Sequence, residues 1–373
     1  MTLKVGLLTA GSDCPGINAA IRGFGKSASS AYDMQVIGFK NGFEGLVRDD
    51  TLDLSGSILS GILTMGGTIL GTSRAIPQSM PENGQTVDQT GAAIETYKRH
   101  KLDALVCIGG KETQNAGLHL AKSGLNIVTI PKAADNDVFG TEMTIGFDTA
   151  REIATEAMDR LHTTANANHR IIIIELLGMY SGWLTLGAGI ASGADVILIP
   201  EIPYDTDIIA KAILKRNQEG KNFSIIAIAE NARSRELVAF LERSRKMNVI
   251  KHSGFDNEEV EAQMEKVKQQ YTNETLLLGS RLEEATKLTA RVTILGYLLR
   301  GGTPSAFDRI LATQMAEASA ALVSQGNFGK MVCYRNGDIE CVHLEEVAGK
   351  TKPIPQDHHW ITSARQVGTC LGD

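Results

Sequence analysis

Two carboxylates separated by a single asparagine, Asp135 and Asp137, are the side chains of this sequence best suited to proton transfer or metal binding. They follow the apolar run 125–130, Pro131 and Lys132, so the sequence predicts that they leave the carboxyl end of a buried strand. Open α/β sheets carry their chemistry at that edge. A carboxylate there could take a proton from a hydroxyl group, or hold a metal ion that shields phosphate oxygens. A solvated turn rich in Asp and Asn is the alternative interpretation.

Two glycine-bearing loops could bind anions. The strand predicted at 4–9 ends at Gly11 and Ser12, and a helix is predicted from 17 to 27, so backbone N–H groups and the helix dipole would point at a ligand there. This loop matches neither GxxxxGK[ST] nor GxGxxG, which excludes the standard P-loop and Rossmann assignments. The second loop, 66–74, ends at Arg74, which could bridge phosphate oxygens in a bidentate way.

The elements that must position these residues recur as a strand, a polar glycine-bearing turn and a helix. Further buried strands are predicted at 104–108, 127–130, 171–176, 196–199, 224–229 and 291–295, and a further helix at 153–161. Residues 233–287 are strongly charged with few strand signals, which favours helices and an exposed excursion. The repeated unit is typical of an α/β fold with a mainly parallel sheet covered by helices on both faces.

Composition and charge argue against nucleic-acid binding, membrane binding and a structural zinc site. The 373 residues are enough for two domains, and 21% charged residues with a net charge of −6 give no electrostatic preference for nucleic acid or an anionic membrane. The first residues lead directly into a strand and not into a signal peptide, which together with the lack of a long apolar stretch predicts a cytoplasmic protein. The five cysteines lack CxxC or His-paired spacing, so we expect free thiols and no structural zinc.

Several long motifs occur in one order along the chain: LTAGSDCPGINAAIR, GGTILGTSR, PKAADND, GFDTA, DRLHTTA, HRIIIIE, SGADVILIPE, ARVTILG, RGGTPSAFDRILAT and FGKM. In these motifs the sequence resembles the phosphofructokinase family, and most closely its actinobacterial branch with pyrophosphate-using relatives. The resemblance implies two interleaved three-layer α/β/α domains with mainly parallel sheets and an active site in the cleft between them. A donor-binding domain would comprise 1–147 and 299–350, and a sugar-phosphate-binding domain 148–298 and 351–373.

The resemblance also assigns roles to residues. Asp135 would deprotonate the attacking sugar hydroxyl with support from Asp137, and Glu230 would bind sugar hydroxyls. Three cations, Arg170, Arg291 and Arg300, would hold the sugar phosphate, and Arg170 also belongs to the catalytic set. Arg170 and Arg291 would reach in from a neighbouring subunit, which implies a homodimer or homotetramer with shared active sites. The remaining residues implied are Gly11, Ser12, Arg74, Gly110, Lys111, Glu112, Thr113 and Lys132 on the donor side and Ala133, Leu177, Gly178, Met179 and Tyr297 on the sugar side.

Three departures from the family pattern fall in the donor motifs. Ser12 replaces a glycine, and its Cβ would crowd a phosphate that approaches the backbone. Lys111 replaces an acidic residue associated with the metal, and a lysine cannot coordinate magnesium although it could neutralise phosphate oxygens. Glu112, one position later, is the candidate Mg²⁺ ligand. Ala133 and Ala134 replace the usual Thr-Ile pair, which removes a hydroxyl and leaves space.

Two further departures fall in the sugar motifs, where Met179 replaces an arginine and Tyr297 replaces a histidine. We therefore expect a phosphotransferase that uses Mg²⁺ and moves a phosphoryl group from pyrophosphate or ATP to a ketose phosphate, by default fructose 6-phosphate. Lys132 and Glu112 favour pyrophosphate. One alternative is a kinase or diphosphokinase for another ketose phosphate, such as an epimeric hexulose 6-phosphate or sedoheptulose 7-phosphate. Another is a catalytically silent paralogue that binds sugar phosphate.

Overall fold

The computed structural model describes residues 2–82, 84–251 and 274–373. Its strands are β1 Leu3–Thr9, β2 Met34–Phe39, β3 Thr51–Asp53, β4 Met80–Glu82, β5 Gln85–Val87, β6 Ala104–Gly109, β7 Ile127–Pro131, β8 Ile171–Leu176, β9 Val196–Leu198, β10 Ser224–Ala229, β11 Ala290–Ile294, β12 Lys330–Arg335 and β13 Asp338–His343. Its helices are α1 Ile17–Ala31, α2 Phe43–Arg48, α3 Thr90–Arg99, α4 Lys111–Lys122, α5 Phe147–Asn168, α6 Trp183–Ala191, α7 Thr206–Gln218, α8 Arg235–Lys251, α9 Glu274–Thr286, α10 Ala306–Ser324, α11 Leu344–Val347 and α12 His359–Gln366. Across those described ranges, no helix combines the length and apolar character needed to cross a membrane.

The elements assemble into two compact units. The first comprises Met1–Arg151 and Tyr297–Lys352, and the second comprises Glu152–Gly296 and Pro353–Asp373. The chain therefore passes between the units three times. The first passage lies within α5 and the second falls in the short 3₁₀ helix Gly296–Arg300, whereas the third, between Lys352 and Pro353, lies outside any helix.

The first unit is built on a seven-stranded sheet with the order β13-β12-β7-β6-β1-β2-β3. Its five central strands are parallel, and antiparallel β13 and β3 close the two edges. Strands β6 and β7 are buried along their whole length, because helices cover a parallel sheet on both faces. The small antiparallel pair of β4 and β5 lies outside this sheet. The predicted α/β class with a mainly parallel sheet is confirmed.

The second unit is built on a four-stranded sheet with the order β11-β8-β10-β9, and all its strand pairs are parallel. The four strands predicted in this part of the sequence all form, with bounds that differ by at most one residue from the expected ones. Buried isoleucine, leucine and valine side chains from β8, β9 and β10 pack against α7 and α9. Strand β11 lies at one edge and is partly exposed, whereas β9 at the other edge is buried.

The observed helices are longer than the sequence patterns predicted. Helix α1 continues to Ala31, so it includes the polar KSASSA segment. Only Ala28 of that segment is buried, which is why the apolar pattern in the sequence stopped earlier than the helix. Helix α5 extends beyond the predicted 153–161 at both ends, between the left-handed residues Gly146 and His169. Helices predicted in the charged stretch 233–287 form as α8 and α9. The exposed excursion expected in the same stretch is not assigned, because residues 252–273 lie outside the described residues.

Asp308, which no sequence pattern singled out, fastens α10 to the start of α5. Its carboxylate accepts hydrogen bonds from the Gly146 N–H at 2.8 Å and from the Thr149 N–H at 2.8 Å and hydroxyl at 2.5 Å. Burial raises the pKa of Asp308 to about 6, so it is charged at neutral pH, the form that accepts all three donors. This buried carboxylate fixes the chain at Gly146 and Thr149, where α5 begins.

Candidate active site

Three neighbouring parallel strands of the first unit, β1, β6 and β7, end at the same edge of the sheet. Thr9 is level with Ile108, and Gly109 is level with Pro131. The pairing continues one step further, because the Lys132 N–H donates to the Gly109 carbonyl at 3.1 Å. The three loops predicted to carry donor-side and acidic residues therefore leave the sheet side by side, at the edge where α/β folds bind ligands.

The loop after β1 brings Ser12 and Arg74 together. Gly11 has a φ of 83°, and its N–H donates to the Ser73 carbonyl at 2.8 Å. Arg74 donates from Nη2 to the Ser12 hydroxyl at 3.0 Å. The serine that replaces a family glycine thus orients an arginine that is predicted to contact the donor.

Lys132 connects this loop to the acidic residues. Its side chain is only 2% exposed, and its ammonium donates to the Ser12 carbonyl. Burial lowers the pKa of Lys132, and the nearby Cys14, Asp13 and Asp135 partly oppose that effect. A buried cation therefore lies between the first loop and Asp135, where it can neutralise phosphate oxygens.

The loop after β6 begins α4. Gly110 precedes the helix and Lys111 is its first residue. The buried Thr113 packs closely on Gly109: a Cβ added to Gly109 would lie 2.0 Å from the Thr113 hydroxyl oxygen. The exposed Glu112 carboxylate accepts a hydrogen bond from the Asn115 amide at 3.0 Å. The dipole at the first turn of α4 and the cation of Lys111 together suit this helix start to an anion.

The third loop, residues 133–145, is called the acidic loop below. Asn136 holds it in shape: it has a φ of 57°, its amide donates to the Glu142 carbonyl at 3.0 Å, and its side-chain oxygen accepts from the Thr144 N–H at 3.0 Å. Ala133 is fixed at the loop's other end, because its N–H donates to the Ile145 carbonyl at 3.2 Å. The tight turn leaves Asp135 partly exposed and buries Asp137 to 6% exposure.

The two carboxylates of the acidic loop have different surroundings. Burial raises the pKa of Asp137, and this effect is opposed by the nearby Lys111 and Lys352 and by a side-chain hydrogen bond with Asp135. A pair of carboxyl groups in unlike environments is suited to divide acid–base work. Asp135, the more exposed of the two, is the better placed to meet an external hydroxyl, and Asp137 is buried beside it.

Two predicted sugar-phosphate ligands, Tyr297 and Arg300, belong to the first unit. The Arg300 guanidinium lies 5.1 Å from the centre of the Tyr297 ring, which is a cation–π distance. Arg300 also contributes to the lowered pKa of Lys132, so it lies within electrostatic range of that lysine. Tyr297 itself is 80% exposed, so its ring is available to a ligand or a partner.

In the second unit, the carboxyl ends of β8 and β10 bring Glu230 next to the turn 177–182. Leu176 is level with Ala229, and the Glu230 carboxylate accepts from the Gly178 N–H at 3.4 Å. Leu177 is buried, whereas Met179 is 46% exposed. The predicted sugar-binding residues Leu177, Gly178, Met179 and Glu230 are therefore neighbours at one edge of this sheet.

The other predicted phosphate ligands of this unit lie at the opposite edge. Arg170 directly precedes β8, and Arg291 is level with Ile172 near the start of β11. The Arg291 guanidinium donates to the carbonyl of the preceding residue, Ala290, at 2.6 Å. The same guanidinium nitrogen lies 3.4 Å from the Glu283 carboxylate. Along the strands, Arg291 and Arg170 lie five and seven residues before the level of Glu230, which is about 17 and 23 Å. The predicted sugar-phosphate ligands of this unit therefore lie at two opposite edges of the sheet.

Comparison with known proteins decides the family. The phosphofructokinase family model matches residues 4–323. An ATP-dependent 6-phosphofructokinase of Propionibacterium freudenreichii subsp. shermanii is 48% identical, with 100% of both chains covered. One of Spirochaeta thermophila is 45% identical over 100% of this chain and 98% of its own. The chain belongs to the phosphofructokinase family.

Solved structures agree with this family assignment. A phosphofructokinase of Saccharomyces cerevisiae aligns with a TM-score of 0.74 at 26% identity, over 92% of this chain and 45% of the yeast chain. A pyrophosphate-dependent phosphofructokinase of Marinobacter aquaeolei aligns over 100% of this chain and 92% of its own with a TM-score of 0.77, and at 18% identity this shows the shared fold alone. The predicted family and its enzyme class, a phosphotransferase of the phosphofructokinase type, are both confirmed.

Phosphofructokinase-family kinases generally use Mg²⁺ with ATP, so the donor loops must be compatible with that ion. Among the residues described, no three His, Cys, Asp or Glu side chains gather into a metal-binding group. Magnesium bound to nucleotide phosphates needs only one or two protein carboxylates, because phosphates and waters supply its other ligands. Exposed Glu112 at the start of α4 meets that requirement, whereas the ammonium of Lys111 beside it cannot.

Proposed function

We propose that this chain transfers the γ-phosphoryl group of ATP to fructose 6-phosphate and yields fructose 1,6-bisphosphate and ADP. The full-length relatives named ATP-dependent 6-phosphofructokinase support both substrates. The observation that carries the proposal is the acidic loop, where Asp135 stays accessible beside the buried, hydrogen-bonded Asp137. A subunit that only bound sugar phosphate would not need this pair. We also infer a role in glycolysis and a cytoplasmic location, since that is where this reaction takes place.

The first unit supplies the proposed chemistry. Asp135 takes the proton of the sugar hydroxyl, whose oxygen then forms a bond to the γ-phosphorus as the bond to the ADP oxygen breaks. Lys132, Arg74 and the start of α4 neutralise charge on the transferring and leaving phosphates. Glu112 would hold a donor-bound Mg²⁺, which shields the phosphate oxygens when present.

The second unit supplies the proposed acceptor contacts, and it does so for two sites. Glu230 and the turn at 177–179 bind sugar hydroxyls at the carboxyl edge of the sheet. Arg170 and Arg291, at the amino edge, bind the sugar phosphate of a second subunit. We therefore propose a homo-oligomer with shared active sites, and the separation of the two edges is its support.

Pyrophosphate is the second candidate donor, and Lys132 is the observation that favours it. Its ammonium lies 3.5 Å from the place where a Cβ on Gly11 would stand, so it occupies space against the first loop. A compact donor with two phosphates would fit that arrangement and gain charge neutralisation from it. The names of the relatives nevertheless make ATP the first choice.

The deciding experiment is a transfer assay with purified protein and magnesium, in which ATP and pyrophosphate are each combined with several ketose phosphates and the products are identified by mass. We expect fructose 6-phosphate to gain one phosphoryl group, with kcat/KM for ATP at least about 10-fold above that for pyrophosphate. A preference for pyrophosphate would replace the donor. Turnover only of an epimeric hexulose 6-phosphate or sedoheptulose 7-phosphate would replace the acceptor, and no turnover at all would support a silent paralogue.

Substitution Lys132→Met is expected to raise the KM for the donor about 10- to 100-fold, because it removes a charged hydrogen-bond donor from the phosphate side of the site. The KM for fructose 6-phosphate is expected to change less than about 3-fold. Initial rates at varied donor and acceptor concentrations measure both values. The matched control is Lys26→Met, an exposed lysine on α1, for which we expect wild-type kinetics. Equal changes in the two KM values would contradict a specific donor role.

A further inference from the structure

The acidic loop is also held by the last residues of the first unit, 351 and 352, which no sequence motif connects with it. Thr351 pairs with Val138 in an isolated antiparallel bridge. The Lys352 N–H donates to the Asp137 carbonyl at 3.0 Å. This short pairing places the main chain of 351–352 directly against the residue that follows Asn136.

The side chain of Lys352 continues the same attachment further along the loop. Its ammonium donates to the carbonyls of Thr141 at 3.0 Å and Glu142 at 2.9 Å. The Glu142 carbonyl also accepts from the Asn136 amide, so one carbonyl joins the internal brace of the loop to this external one. Hydrogen bonds from a charged donor are stronger than those between neutral groups, so the ammonium of Lys352 adds a strong attachment to this part of the loop.

Lys352 also sets the charge balance of the acidic pair. Burial lowers the pKa of Lys352 to about 7, and the carboxylates of Asp137, Glu142 and Asp135 oppose that effect. In return, Lys352 and Lys111 both favour the charged form of Asp137. Removal of the ammonium would leave the acidic pair with one cation fewer, and the Thr141 and Glu142 carbonyls would each lose one hydrogen bond.

We propose that Lys352 is a positioning residue for phosphoryl transfer: it binds the carbonyl groups of Thr141 and Glu142 and the main chain at Asp137, and so holds Asp135 where it can meet the acceptor hydroxyl. The inference rests on the proposed role of Asp135 as the base. We assign Lys352 no substrate contact: it acts through the loop and through the charge of Asp135 and Asp137. Its loss should therefore slow the chemical step without weakening substrate binding, because a small displacement of a catalytic group has a large effect on rate.

The test compares Lys352→Met with Lys350→Met and Lys352→Arg. Lys350 is the matched control: it is exposed, lies two residues earlier and places its ammonium 5.2 Å from the ring of Phe139 in the same loop. For Lys352→Met we expect kcat to fall about 10- to 100-fold with both KM values within about 3-fold of wild type. We expect Lys350→Met to retain the wild-type kcat within about 2-fold and Lys352→Arg to recover part of the loss.

Two readouts separate positioning from a general loss of structure. Amide hydrogen exchange of peptides within 135–145 should become faster in Lys352→Met and stay unchanged in Lys350→Met. The acidic limb of the kcat–pH profile should move to higher pH in Lys352→Met, because the carboxylates of Asp135 and Asp137 lose one of their neighbouring cations. Lys352→Gln takes the place of the methionine variant if that variant does not fold.

The outcomes distinguish the positioning role of Lys352 from the proposed kinase function. An unchanged kcat, or a lowered kcat with unchanged exchange in the acidic loop, would overturn the positioning role. A wild-type protein without turnover on any ketose phosphate would overturn the proposed function. The exchange comparison between Lys352→Met and Lys350→Met would still decide in that case whether Lys352 holds the loop.

Discussion

Replacement of Asp135 by asparagine is expected to lower kcat about 10²- to 10⁴-fold, the contribution typical of a positioned general base. Asparagine has nearly the same size and can keep a hydrogen bond to Asp137, so the fold of the acidic loop should survive. Its amide cannot accept the proton of the sugar hydroxyl. The KM for fructose 6-phosphate should therefore stay within about 3-fold of wild type, because only a transition-state interaction has been removed.

The matched control for this experiment is Asp50→Asn. Asp50 forms a surface ion pair with Lys40 at 3.0 Å, so its neutralisation removes the same charge without touching the acidic loop. We expect kcat within about 2-fold of wild type for this variant, since exposed ion pairs contribute little. Equilibrium binding of fructose 6-phosphate, measured by calorimetry, tests whether Asp135→Asn still binds its acceptor. If Asp135→Asn retains most of the wild-type kcat, the base must be sought elsewhere.

The sequence was sufficient to predict the strands that carry both candidate sites. Runs such as 104–108 and 224–229 are continuously apolar because both faces of a parallel sheet are covered by helices, and that pattern is local. The residues directly after these strands, including Lys111 and Glu230, could therefore be placed at a sheet edge from periodicity alone. Their association into two groups needed only the rule that parallel strands end together.

Contacts between segments far apart in the sequence were not predictable in this way. Lys352 is more than 200 positions from Asp137, and its carbonyl partners carry no side-chain signature. Asp308 likewise lies 159 positions from Thr149. Such residues look like ordinary surface charges in the sequence, because hydrogen bonds to backbone groups do not depend on which residue supplies the backbone. Only the three-dimensional structure shows that they fasten the acidic loop and the helix that follows it.

The placement of Glu230 and the two arginines at opposite edges of the sheet could not be predicted from the sequence motifs either. Motifs name Arg170, Arg291 and Glu230 as ligands of one sugar phosphate, and they contain no information on distance. The strand register supplies it: the arginines are at the start of parallel strands and Glu230 follows the end of one. If all three residues bind the same molecule, this separation favours their coming from different chains, as proposed above.

A hybrid oligomer that combines a Glu230→Gln subunit with an Arg170→Ala subunit is therefore expected to be active although each parent is not. Each variant alone should lose about 100-fold in kcat/KM for fructose 6-phosphate, because a hydrogen bond to the acceptor or a charge-assisted bond to its phosphate is missing from every site. In the hybrid, one shared site receives both defects and the other receives an intact Glu230 with an intact Arg170. The hybrid should regain about half of the wild-type activity per dimer.

The hybrid can be isolated by co-expression of the two variants with different affinity tags and two successive purifications. The matched control is a hybrid of Arg170→Ala and Arg291→Ala subunits. Both arginines lie at the same sheet edge and would enter a site from the same subunit, so every site in this hybrid keeps one defect and no activity should return. Were each chain to use its own arginines with its own Glu230, every site of the first hybrid would also carry one defect. Activity that stays at the level of the parents would therefore exclude shared sites, whereas recovery in the first hybrid alone requires them.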